Sequence, residues 1–561
     1  MNRYATIVRR QTTVLPSVAL AGALACACVG SIDDGDGSGN RARPPTGDPV
    51  IDKACSATYS PGHVSIHRLT NEEYNNTVRD LLHTKSRPAD GFDPSSRGLS
   101  GFSNDSDALA ISDVLVASYY SAAEALAKEV IASKSKMGGA YAQIVTCAPS
   151  TTCAETTIKT LASRAYRRPV TDAELSTLMG IYKNDSDFDT GLEDVITALL
   201  MNPKFLFVYV TDPQSQVQGA PFAIDAHGLA ARLSYALWQT MPDPELSQLA
   251  DDGKLNDPEV IRGQVLRMLK DPKVDSLLKS LRNDWAGLST LADPQGKLVG
   301  LDDAVRLSMV GEVDTFLKDL VNGDKSLLNV VSGTYSFADK TMATYYGVPF
   351  TGQDAATFAR VTLPANRRGI VTSVAILTAT AGDVAYTHPV HRGKWMTHQI
   401  LCTPPPPPPG GLPGVDFNPA KGGTAREKLL AHVNNPACIG CHQVMDTVGL
   451  GLENYGPFGQ WRDAYPETAG AIDASGTLPD GKSFTRPVEM LDDIAQDDQT
   501  RACLAQQMMA YALTRAITSP DDLCVAKAIG TASVTPNGSF SDLVIKVVRS
   551  RQFFMQTGEA P

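Results

Sequence analysis

The sequence has no surplus of basic residues: Lys and Arg number 50 against 61 Asp and Glu, for a formal charge of −11 over 561 residues. Broad nucleic-acid affinity needs the opposite balance, because phosphates are neutralised by Lys and Arg, so no nucleic-acid partner is expected. Beyond Gly30 no long apolar run occurs, so nothing there supplies the ~20 consecutive apolar residues of a spanning helix. There is no G-x-S-x-G, no H-E-x-x-H and no phosphate-cradling glycine loop, which removes common hydrolase and nucleotide-binding signatures. No internal repeat of fixed period is visible, so a solenoid is excluded. The acid pairs Asp251-Asp252 and Asp492-Asp493 read as solvated faces, and the acidic stretch from Asp302 to Asp324 lacks the spacing of a calcium hand.

What is present is an ordinary globular balance, 43% hydrophobic and 20% charged. The length exceeds one core, since cores stop growing near ~250–300 residues. Arg3, Arg9 and Arg10 precede a mostly apolar run from Val14 to Ala25, the pattern of an export signal rather than a span. Ala23-Leu24-Ala25 before Cys26 is an imperfect lipobox, and Ala25-Cys26-Ala27 fits small-x-small cleavage before Cys28. Acyl anchoring at Cys26 or Cys28 is the expectation, with plain cleavage the alternative. Loss of this leader removes three Arg and no acid, taking the charge from −11 to −14. The Gly-, Asp- and Ser-rich stretch that follows reads as a tether. A soluble body in the cell envelope, tied to the membrane by an N-terminal lipid, is therefore expected.

The body reads as mainly α. Thr70-Asn71-Glu72-Glu73, Thr171-Asp172-Ala173-Glu174 and Thr424-Ala425-Arg426-Glu427 are capping boxes, each ahead of an amphipathic run. Asp225 caps a further helix, and Asp243-Pro244 and Asp257-Pro258 pair an N-cap with a first-turn proline, the former helix ending at Gly253. Pro404 to Pro409 must be extended and serves as a spacer. The resulting organisation is a leader at 1–28, a tether at 29–54, helical domains at 55–140, 141–215 and 216–359, a connecting domain with a Pro-rich spacer at 360–423, and a cytochrome c-like domain at 424–561. Asp473 to Gly481 reads as a small turn-rich insert with room for β structure.

Ten cysteines occur. Apart from the leader pair and Cys438 and Cys441, six remain, enough for three bridges in an oxidising compartment. Cys147–Cys153 pairs by proximity, Cys503–Cys524 by shared location and Cys55–Cys402 by remainder, though spacing alone leaves connectivity open.

Cys438-Ile439-Gly440-Cys441-His442 is C-x-x-C-H, the attachment pattern of c-type haem. The two thiols add to the haem vinyl groups, and the adjacent imidazole of His442 lies under the iron. One covalent haem c is expected, clamped between the helix opening at Thr424 and an amphipathic helix near Cys503 to Arg515. The competing readings are a redox disulfide or half of a zinc site, for which only His432 and His442 are at hand. The sixth iron position decides between electron carriage and open-site chemistry. Met490 is the candidate ligand, with core packing as its alternative. Met508 and Met509 read as packing, and Met445 is too close to His442 to reach the opposite face. His388, His391 and His398 read as loop and surface histidines, although one could approach the haem. Arg462 suits a haem propionate, or alternatively an ion pair with Glu453. Gly449, Gly451, Gly456 and Gly459 would let the backbone turn closely at the porphyrin edge.

From His432 to Arg462 the chain resembles a large family of exported bacterial proteins of unknown function with one cytochrome c-type motif. The resemblance rests on His432, Cys438, Cys441, His442, Met445, Asp446, Gly449, Leu452, Glu453, Tyr455, Gly459, Trp461 and Arg462, and departs at Thr447, where proline is usual. The helix from Arg68 to Leu82, Tyr166-Arg167-Arg168-Pro169, the block from Leu233 to Asp243, and Arg392-Gly393 also match, so the likeness covers roughly residues 60–556. It says little about substrate. The expectation is electron transfer by one haem, docked to an unidentified redox partner. The alternatives are a haem oxidoreductase acting on an extracellular or periplasmic substrate, and a non-catalytic envelope binding protein.

Overall fold

The structure, a computed structural model, describes residues 48–557 except 56–59, 63–64, 95, 186, 209–219, 294–299, 383–385, 406–416, 418–421, 434–435 and 467–469. The side chains of 431–433 and 436–441 are also outside the description. The leader with Cys26 and Cys28, most of the tether and Pro406 to Pro409 lie outside the described residues.

Helix accounts for 58% of the molecule, as the periodicity predicts. Local chemistry starts the helices where expected. The Thr70 hydroxyl accepts from the Glu73 amide and the Glu73 carboxylate accepts from the Thr70 amide, opening helix Asn71–Leu82. Thr171 and Glu174 repeat the exchange at helix Asp172–Tyr182, and Thr424 and Glu427 at helix Ala425–Val433. Asp225, Asp243 and Asp257 each cap a following helix through the side chain. Such caps satisfy amides that the first turn leaves unpaired. The acidic stretch after Asp302 is helix Asp303–Asn322.

Strands are few and come as two-stranded antiparallel ladders: His67–Arg68 with Phe207–Val208, Pro221–Ala223 with Met555–Thr557, Tyr335–Ala338 with Ala359–Thr362, and Gly476–Thr477 with Ser483–Phe484. The last is the expected turn-rich insert, with Gly481 at φ +88° in its turn, a conformation open chiefly to glycine.

Two large apolar clusters hold the body together, and a small third one joins Phe417, Ala425, Leu429 and Leu450. One runs from Leu69 to Met241 and includes Tyr74, Tyr119 and Phe205. The larger runs from Ile51 to Phe554, and in it Trp238, Phe316, Tyr455, Tyr511 and Phe553 are fully buried. Helices Asp498–Leu513 and Phe540–Val548 pack within it against helices Ala226–Trp238 and Pro258–Met268. The described residues from 48 to 557 accordingly form a single compact unit.

This core also holds an acid. Glu312 is 1% exposed and accepts from Ser336 Oγ at 2.6 Å and Tyr346 Oη at 2.7 Å. Burial pushes its carboxyl up to about 7, because a low-dielectric interior disfavours the charged form.

Three disulfides are formed: Cys55–Cys524, Cys147–Cys153 and Cys402–Cys503. The local pair is as expected. The other two correct the pairings Cys503–Cys524 and Cys55–Cys402. Helix Pro49–Ala54 lies on helix Pro520–Ser533, which brings Cys55 to Cys524. Cys503 faces the chain leaving helix Pro389–Gln399, where Gln499 also donates to the Leu401 carbonyl. Tertiary packing, not distance along the chain, chose the partners. Among the described residues no helix is long and apolar enough to cross a membrane.

Candidate functional site

The C-x-x-C-H motif lies on one helix, Pro436–Leu450, hereafter the motif helix. Pro436 suits the first turn, where its missing N–H costs nothing. Helical spacing puts positions 438, 441 and 442 on one face, since residues three and four apart are neighbours. The His442 ring is 16% exposed, and its Nδ1 lies 2.9 Å from Asp446 Oδ1, one turn further on. With Nδ1–H donating to that carboxylate, Nε2 is the ring nitrogen that carries the lone pair.

The motif helix crosses helix Pro389–Gln399 at very short range. A Cβ at Gly393 would strike the Met445 carbonyl, and one at Gly449 would strike the Pro389 carbonyl. Only glycine lets the two backbones meet there. This helix, from the segment preceding the proline run, is the packing partner of the motif helix together with helix Ala425–Val433. The helix near Cys503, expected as a haem clamp, packs chiefly on helix Pro520–Ser533 and joins helix Pro389–Gln399 through the Cys402–Cys503 bridge.

The loop after the motif helix is held by buried charge. Arg392 is 1% exposed and donates to the carbonyls of Leu452, Tyr455 and Gly456 at 2.9, 2.5 and 2.8 Å. Glu453, fully buried, accepts from Thr387 Oγ1 and from Arg462 Nη2 at 2.6 Å. Burial pushes the Glu453 carboxyl up, opposed by Arg392 and Arg462. Tyr455 donates to the Asn366 carbonyl, and Arg367 to that of Gly459. Gly459, at φ +71°, lets the loop pass close to Val374 and Leu377.

The expected site residues therefore separate. His442 is held and oriented. The side chains of Cys438 and Cys441 lie outside the described residues. Arg462 is in the Glu453 ion pair, the second of its two readings, and stands over the Tyr465 ring at 5.0 Å. Met490 is fully buried, with its sulfur against Gly451. Gly451 is nine residues past His442, about 13 Å along the axis at about 1.5 Å per residue. In this structure Met490 packs in the core, beside Gly451 just past the C-terminal end of the motif helix. His388 and His391 stack at 3.9 Å between ring centres, with Phe417 edge-on to His388. Burial, and then the neighbouring His391, lowers His388 to about 4. The role of Asp446 as orienter of His442 was not foreseen, although its i+4 spacing on a helix was the available signal. Arg392 carried no local signal of its carbonyl partners, three of which come from a distant loop and the fourth, Leu377, from helix Val374–Ala379. Among the described residues no cluster of three or more His, Cys, Asp or Glu could hold a metal ion.

Five family models match successive segments. Each is described as a protein of unknown function: DUF1587 at residues 67–132, DUF1595 at 153–209, DUF1592 at 224–348, DUF1588 at 367–465 and DUF1585 at 480–553. The chain belongs to a multi-domain family of unknown function. In this DUF1587–DUF1595–DUF1592–DUF1588–DUF1585 protein the motif helix falls inside the DUF1588 segment, as do Arg392, Glu453 and Arg462. No curated protein and no solved structure matches the chain.

Proposed function

We propose that this protein is an exported c-type haem protein that transfers electrons in the cell envelope, with a single haem attached through Cys438 and Cys441 and ligated by His442. The observation that carries the reading is the C-x-x-C-H motif on one helical face, with the His442 imidazole fixed by Asp446. The described residues fit the group in one specific respect. Imidazoles that ligate metals usually give their other N–H to a carboxylate or carbonyl, which sets the tautomer and raises ligand basicity. Asp446 is in position to do this for His442. When bound, the haem would supply a one-electron couple whose potential depends on axial ligation and burial.

The chain's own contribution is then positional. The Gly393–Gly449 crossing fixes the motif helix, Asp446 aims His442, and Arg392 with the Glu453–Arg462 pair secures the loop beyond. Three disulfides are consistent with an oxidising compartment outside the cytoplasm, and a lipid at Cys26 or Cys28 would hold the protein at a membrane. A second reading, a haem oxidoreductase, is favoured by the place of Met490, which is packed in the core rather than beside His442.

The test is expression with a working cytochrome-assembly system. The electron-transfer reading expects one haem per chain, retained after denaturation and lost in Cys438→Ser/Cys441→Ser, with spectra that cycle reversibly and do not change with carbon monoxide. Carbon monoxide binding to the reduced protein would turn the assignment to the oxidoreductase. Colourless, iron-free protein from that host would overturn both.

A further inference from the structure

A cleft of about 670 Å³ opens in the helical body, remote in sequence from the motif helix. Its walls come from three of the matched segments. Residues 75–87 lie in the DUF1587 segment, Arg164 in the DUF1595 segment, and Met241 to Pro244 with Lys273 in the DUF1592 segment. The volume is in the usual range of small-molecule sites, about 300–1,000 Å³. The rim exists because His83 ends helix Asn71–Leu82 at φ 55°, turning the chain so that Thr84 to Arg87 run along the opening.

The charge of the cleft is unlike that of the chain. Arg79, Lys85, Arg87, Arg164 and Lys273 line it against only two carboxylates, Asp80 and Asp243, in a protein of charge −11. Both carboxylates are already engaged. Asp80 meets Arg79 at 2.7 Å and Lys273 at 3.3 Å, and accepts from Thr240 at 2.9 Å. Asp243 caps helix Pro244–Asp251 and pairs with Arg267 at 2.7 Å. Arg87 is matched by Glu72 and Asp90.

Two cations remain. Arg164 donates to the main-chain oxygen of Asp80 at 2.7 Å, and no carboxylate among the described residues makes an ion pair with it or with Lys85. Burial lowers the guanidinium of Arg164 from its usual range. The Asp80 carboxylate acts on this guanidinium only through space, without a direct ion pair, so a partly desolvated fork hydrogen-bonded to one carbonyl is further stabilised by an incoming oxyanion, which it can grip with two hydrogen bonds. Met241 and Pro242 give the same cleft an apolar wall, against which the carbon skeleton of a ligand can lie.

We propose that this cleft is a binding site for a small organic oxyanion, held by Arg164 within it and Lys85 at its rim. The site is independent of the haem reading, since no residue of it belongs to the motif helix or its loop.

Calorimetric titration of the full-length protein, with and without haem, tests this. The probes are glucuronate, glucose 6-phosphate and glucose 6-sulfate, with glucose as the neutral control and inorganic phosphate to separate head-group capture from recognition of the whole molecule. Saturable binding of at least one charged sugar, with glucose silent, is expected. Affinity should fall about tenfold or more, roughly 1.4 kcal/mol, in Lys85→Gln and in Arg164→Gln, and the haem-free protein should bind equally well. Lys85 is exposed, so Lys85→Gln keeps the test decisive if Arg164→Gln folds poorly. Absence of saturable binding by every anion, or unchanged affinity in Lys85→Gln, would overturn the proposal.

Discussion

Asp446 stands one turn beyond His442 and takes the Nδ1 side of its ring. A carboxylate there draws electron density onto the imidazole and strengthens its donation to a metal. Asp446→Asn should keep covalent haem but raise its midpoint potential, because weaker donation stabilises the oxidised iron less. A redox titration of wild type and variant checks this, and identical potentials would show that the contact is only structural. Glu312 offers a prediction free of the cofactor. Its carboxyl is pushed up to about 7 from 4.5, so between those values the folded chain holds a proton that the unfolded chain releases. Stability contributed by this group is complete below pH 4.5 and declines as pH rises to about 7. Glu312→Gln, which can keep the contacts to Ser336 and Tyr346, should remove that decline and be more stable than wild type at pH 8, by up to about 3 kcal/mol. Denaturant melts across pH 4–9 would reveal a parallel decline in both proteins if the idea is mistaken.

At the level of the element, the crossing of helix Pro389–Gln399 with the motif helix is decided by two missing side chains. Gly449→Ala adds one carbon where the Pro389 carbonyl stands. Main chain yields less readily than a side chain, so a loss at the upper end of the overpacking range, about 2–3 kcal/mol, is expected. Gly263→Ala, where a Cβ meets nothing within 4 Å on helix Pro258–Met268, should be neutral or better, and comparison of the two Tm values makes the measurement. Helix starts were legible in the sequence because a cap is a bargain between residues two or three apart. Thr70 with Glu73 and Asp243 with Pro244 carry their reason within one turn. The crossing was not legible. In the sequence Gly393 stands only in the family pattern and Gly449 reads as a turn at the porphyrin edge; packing alone sets them face to face. The same limit explains Met490, whose spacing from His442 suits a ligand but whose neighbours are Gly451 and the core.

Over the whole molecule, contacts between distant parts of the chain dominate. Cys55–Cys524 joins residues 469 apart in sequence, and a bridge closing so long a loop typically stabilises by about 2–4 kcal/mol. Cys55→Ser/Cys524→Ser should lose about that much, whereas Cys147→Ser/Cys153→Ser, closing a loop of 6, should lose less. Melts under non-reducing conditions rank the two, and the opposite order would show that the long bridge adds nothing. The number of bridges was legible from the cysteine count, but two of the three partnerships were not, since they depend on which helices lie together.

The ladder of Pro221–Ala223 with Met555–Thr557 governs the order of manufacture. A ribosome delivers the first of these strands more than three hundred residues before the second. Until then Phe222 has no partner strand, and the Arg232 guanidinium, which donates to the Phe553 carbonyl at 2.7 Å, waits without its acceptor. The larger cluster is therefore incomplete during synthesis. A nascent chain stalled before the strand around Gln556 exposes the apolar surface this ladder covers, which makes it a natural client for chaperones and proteases.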